Sequence, residues 1–116
     1  MLRKEQHLYI ARFENCGQEC AKVGISHNPV IRMDGLNGIG YKHPKKMPYS
    51  LYAVFSLGNS ALAKEIESLA CKKFKPLFRK EYLDQHPERV FAYCWKILKE
   101  RGIKPSAIWR ADGGAE

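Results

Sequence analysis

The pattern of apolar residues predicts an α+β domain: a small antiparallel or mixed three-stranded sheet flanked by helices, in the order β-β-α-β-α-α. Three observations predict it. Residues 7–13 and 20–25 alternate in the two-residue period of strands, with turn residues between them. Residues 51–57, LYAVFSL, form an almost unbroken apolar run, as in a strand buried on both faces, and read as the central strand. Apolar residues recur at helical spacing over 61–74 and 87–101. A chain of 116 residues, 45% of them hydrophobic, fits one domain spanning 1–116 with one core.

In the first strand Leu8 and Ile10 point one way, and Tyr9, Ala11 and Phe13 the other. Asn15 and Gly17 belong to the turn that follows. The second strand puts Ala21, Val23 and Ile25 on one face and Lys22 and Gly24 on the other. Asn28 and Pro29 start the first helix, the former as its cap and the latter as its first residue. That helix runs through Arg32 to about Leu36, where Gly38 and Gly40 stop it. A basic polar loop leads to about Tyr49. Asn59 and Ser60 cap the second helix, 61–74, whose core stripe is Leu62, Ile66, Leu69 and Ala70 and whose end Pro76 marks. The third helix, 87–101, buries Val90, Phe91, Cys94, Trp95 and Leu98, and Gly102 closes it. The tail beyond carries too little pattern to assign, apart from Ile108 and Trp109 as docking residues. The core is thus about 7–83, with a helical extension over about 87–116.

Net charge is +8, from 20 basic and 12 acidic side chains, which attracts a polyanion through phosphate contacts and counterion release. The excess is clustered. Segment 72–80, KKFKPLFRK, has five basic residues and no acid, and KHPKK at 42–46 adds three lysines. Clustered charge, with aromatics interleaved in 72–80, makes these segments a candidate nucleic-acid surface: Lys42, Lys45, Lys46, Lys72, Lys73, Lys75, Arg79 and Lys80. Neither segment has the bulky apolar face of a membrane-surface helix. No run reaches the roughly 20 apolar residues that span a bilayer, and the N-terminus lacks a secretory signal pattern. A soluble, cytoplasmic protein is expected. Cys16, Cys20, Cys71 and Cys94 are expected as free thiols. The Cys16–Cys20 spacing lacks the C-x-x-C and paired-histidine pattern of a zinc site.

Four residues stand at set positions along this order. Tyr9 and Lys22 lie in the first two strands, each opposite its strand's aliphatic face. Arg32 follows Gly24 by eight residues, and Glu67 precedes Pro76 by nine. Around the helix axis Glu65 and Glu67 flank the apolar stripe equally; only the spacing to Pro76 prefers Glu67. Taken singly, each has a plainer reading as an ordinary strand tyrosine, solvated lysine, surface arginine or helix acid.

The runs HLYIARF, KVG, GISHNPVIR and EIESLACKKFKP together resemble the GIY-YIG endonuclease superfamily over about residues 7–83. The likeness is greatest to short phage and bacterial relatives with K-[IV]-G in the second motif and an acidic-aromatic pair, here Glu81-Tyr82. The resemblance implies a metal-dependent endonuclease acting on DNA, double-stranded DNA foremost. Glu67 holds Mg²⁺ or Mn²⁺, Arg32 braces the phosphate, and Tyr9 orients the attacking water and takes its proton. A phenol ionises near pH 10, and Lys22, which stands where a second tyrosine is common, is expected to lower that value. His27, between the second strand and the first helix, is a candidate auxiliary base or phosphate contact, although a loop histidine without a role is the plainer reading. His7 and Arg79 depart from the glycine and asparagine usual at their positions. Two other functions compete: a DNA-binding module of the same fold with weak or no turnover, and an interaction protein that turns its basic face to an acidic partner.

Overall fold

The computed structural model describes residues 6–36, 49–77 and 81–111. Five strands form one antiparallel sheet in the order β4-β2-β1-β3-β5. In chain order the elements are β1 (His7–Asn15), β2 (Gln18–Ser26), α1 (Pro29–Leu36), β3 (Ser50–Ser56), α2 (Ser60–Lys73), β4 (Tyr82–Leu83), α3 (Pro87–Glu100) and β5 (Ala107–Arg110). The α+β class and the three helices match expectation. The strand count does not: five replace three. β4 is two residues long, too short to show any period; it pairs with Ala21 and Lys22 of β2 and bridges to Pro76. β5 lies in the tail that showed no pattern, and its partner is distant in sequence, with Ala107 opposite Ser56.

β1, not β3, is the central strand. Its residues feed both sides of the sheet, Leu8 and Ile10 one core and Tyr9 and Ala11 another. The apolar run of β3 has a different cause. Ile10 pairs with Ala53 but Ala11 pairs with Leu51, a β-bulge that leaves Tyr52 as the extra residue. Adjacent Tyr52 and Ala53 therefore both enter the main core, while Leu51 and Val54 face the other side.

β1 and β2 are joined by the two-residue turn Cys16-Gly17, with φ of 52° and 80°. Both values are positive, as a type I′ turn requires, and glycine takes the second without a Cβ clash. Asn28 Oδ1 accepts from the Ile31 amide at 3.2 Å and Asn59 Oδ1 from the Leu62 amide at 3.1 Å, capping α1 and α2. α2 brings Ile66 and Ala70, and α3 brings Val90, Phe91, Cys94 and Leu98, onto the Leu8–Ile10 face. There Phe55 stacks on Phe91 at 5.1 Å between centroids. α1 covers the opposite face, with Met33 against Tyr9 and Ala11. Glu88 of α3 accepts from both Tyr52 and Arg110, tying β3 and β5 to the helix. No helix among the described residues is long and apolar enough to cross a membrane.

Candidate active site

Tyr9 sits at the middle of the sheet, directly opposite Gly24 of β2. Its ring lies across that glycine. A Cβ at position 24 would stand 2.5 Å from Tyr9 Cζ and 2.8 Å from Cε2, closer than real carbon contacts allow. Only glycine leaves room for the phenol, which explains an otherwise unfavourable glycine inside a strand. The Tyr9 residue is 1% exposed.

Lys22 shares this face and is 6% exposed, unusual for lysine. Its Nζ donates to the Tyr9 hydroxyl at 3.1 Å. It also stands 5.3 Å from the ring centroids of Tyr9 and Tyr82, and 4.0 Å from Glu81 Oε1. Two ring faces and a carboxylate thus offset the removal of the ammonium from water.

Burial pushes the Tyr9 phenol up to about 12; Arg32 opposes the rise, while Glu67 and Glu81 add to it. This corrects the sequence expectation. The Lys22 hydrogen bond is present, yet the displacement is upward: burial of the phenol dominates, and Arg32, not Lys22, is the group that opposes it. The same electrostatics involve the other candidates. Arg32 from α1 and Glu67 from α2 both act on this one hydroxyl, although α1 and α2 pack on opposite faces of the sheet.

Glu65, which the helical wheel leaves equivalent to Glu67, turns away: it pairs with Arg101 at 2.9 Å. Arg32 is exposed and lines a cleft of about 230 Å³ with Ser26, His27, Asn28, Ile31 and Gly35. The cleft therefore holds Arg32 and His27 together, and the Asn28 amide donates to Ser26 Oγ at 3.0 Å along its rim. Lys72, Lys73 and Lys75 are exposed at and beyond the end of α2. Lys42, Lys45, Lys46, Arg79 and Lys80 lie outside the described residues.

Two members of this constellation escaped sequence reasoning as site residues. One is Gly24, the seat of the phenol; a glycine inside a strand was its signal. The other is Glu81, whose backbone carbonyl accepts from the Val23 amide at 3.0 Å, holding its carboxylate near Lys22 and Tyr9. The carboxylates that act on the Tyr9 phenol, and could hold a divalent cation, are those of Glu67 and Glu81. Among the described residues no group of three or more His, Cys, Asp or Glu side chains is gathered for a metal. That donor set fits a hard cation such as Mg²⁺, which binds through one or two carboxylates and fills its shell with water and substrate phosphate.

Neither the curated proteins nor the solved structures contain a match to this chain. A family model does match, over residues 6–100, a span that includes Tyr9, Gly24, Lys22, Arg32, Glu67 and Glu81 and stops before β5. The chain belongs to the T5orf172 domain family, a phage-associated, nuclease-like domain.

Proposed function

We propose that the chain is a metal-dependent endonuclease that hydrolyses phosphodiester bonds in duplex DNA, working as the GIY-YIG resemblance implies. The observation that carries this reading is the buried Tyr9 phenol, seated on Gly24, hydrogen-bonded by Lys22 and acted on by Arg32 and Glu67 from separate elements. A shared field on one oxygen is what a reaction centre needs, and an ordinary strand tyrosine has no use for it.

In hydrolysis a water oxygen attacks phosphorus, the P–O3′ bond breaks, and the water gives up a proton. Arg32, exposed on the cleft rim, presents planar paired donors to the phosphate oxygens and offsets the charge that builds there. Tyr9 orients the water and, as phenolate, accepts its proton. Lys22 holds that oxygen in place by donating to it. Glu67 would hold Mg²⁺ or Mn²⁺, which would supply charge neutralisation at the phosphate and at the departing oxygen. The Glu67 carboxylate helps keep Tyr9 protonated as long as its charge is not neutralised.

Plasmid nicking in Mg²⁺ tests this. Glu67→Ala abolishes nicking, and Tyr9→Phe slows it by about 10²–10⁴-fold, the range for a general base. Undiminished cutting by a folded Glu67→Ala protein rejects the site.

One observation favours a second reading, a DNA-binding module without turnover. A phenol held at about 12 and 1% exposed is a reluctant base. That reading expects salt-sensitive retention on DNA and no nicking with Mg²⁺ or Mn²⁺; robust nicking at low protein concentration eliminates it.

A further inference from the structure

A cleft of about 260 Å³ separates the end of α2 from the outer face of α3. We infer that this cleft, where Lys73, Arg89 and Lys96 surround Phe74 and Tyr93, is a second contact surface for the phosphate backbone of duplex DNA, outside the candidate active site. It rests on the nucleic-acid half of the proposed function and not on catalysis.

The lining contains three cations and no carboxylate. Three other arginines meet acids: Arg12 pairs with Glu19, Arg101 with Glu65 and Arg110 with Glu88. Among the described residues no ion pair engages Lys73, Arg89 or Lys96. Three cations without an acid partner are therefore gathered in this one cleft, as a polyanion site requires.

Helix stability does not account for this arrangement. A lysine at the C-terminal end of α2 complements the helix dipole, so Lys73 alone is unremarkable. Arg89 is the third residue of α3, where the dipole disfavours a cation, and Lys96 lies mid-helix, where the dipole gives no help. Seven residues separate Arg89 from Lys96, so both occupy one face about 10.5 Å apart, some three phosphate steps at about 3.4 Å each. Ala92 lies between them and keeps the floor open. Phe74 meets Tyr93 edge-on at 5.5 Å, and Lys73 Nζ stands 5.9 Å above the Tyr93 ring, which holds its charge at the rim. Cations spaced along a helix over a rigid aromatic base match a regular row of phosphates better than one acidic side chain.

The test is fluorescence anisotropy of the full chain with a labelled random-sequence duplex, in EDTA, across a series of KCl concentrations. The Arg89→Gln/Lys96→Gln double variant is expected to bind all sequences more weakly. Its slope of log affinity against log salt should be shallower by about two, one for each lost phosphate contact. Lys96→Arg, which keeps the charge, should retain the wild-type slope. If wild type binds duplex and the double variant keeps the full slope, the second surface is refuted and the proposed function stands. If wild type binds no duplex at any salt, both readings fall. Displacement of wild type by polyglutamate with no affinity for duplex would likewise overturn the inference, in favour of an acidic protein partner.

Discussion

Tyr9 and Gly24 are one structural unit. The ring occupies the space a side chain at 24 would take, with Cζ 2.5 Å from the ideal Cβ position. Gly24→Ala must therefore lift the phenol or bend β2, and such overpacking costs about 1–3 kcal/mol. The same displacement breaks the 3.1 Å hydrogen bond from Lys22. A folded Gly24→Ala protein should lose nicking about as fully as Tyr9→Phe, and denaturant melts alongside nicking assays check both effects. Wild-type activity in that variant would show that the position of the ring is immaterial. Lys22 is committed in a similar way, because its ammonium is wedged between two tyrosine rings and Glu81. Methionine there keeps the bulk and loses the donor.

At the scale of elements, the site depends on how two helices are anchored. α1 has eight residues, too few to be stable by itself, so its cap and its packing on Met33 hold it. Asn28→Ala removes the acceptor for the Ile31 amide and should cost about 1 kcal/mol. Because Arg32 and the His27 cleft move with this turn, the variant should lose more activity than a matched Asn59→Ala at α2, whose helix is also held by Ile66 and Ala70 in the core. Nicking rates and thermal midpoints of the two variants separate these outcomes; equal losses would argue against α1 as the positioning element. The three helices were legible to within a residue or so because caps and stripes are local signals. β4 and β5 were not, because two residues have no period and β5 is a strand only while Ser56 to Ala53 lie beside it.

For the whole molecule, buried titratable groups make stability depend on pH. Tyr9 ionises at 10.0 when unperturbed and at about 12 in the fold. Between those values the unfolded chain has released a proton that the fold retains, so its contribution is complete below about pH 10 and is lost as pH climbs through 12. Cys94, buried beside α2, acts in the same sense from 9.0 to about 12. The alkaline decline of the thermal midpoint should be shallower in Tyr9→Phe than in wild type. Parallel declines would mean that the phenol gains nothing from its seat.

Sequence alone determined the α+β class, the hairpin, the three helices and the residue types from which a phosphodiester site can be built, since apolar period, caps and charge are properties of neighbouring residues. It separated Glu67 from Glu65 only by the spacing to Pro76, named β3 the central strand and had Lys22 lowering the Tyr9 pKa. Tertiary structure decided those points. Arg101 takes Glu65, a bulge sends Tyr52 and Ala53 into one core, and burial raises the pKa of the phenol. The physical reason is common to all three: strand order, ion-pair choice and desolvation depend on groups distant in the chain that only folding brings together.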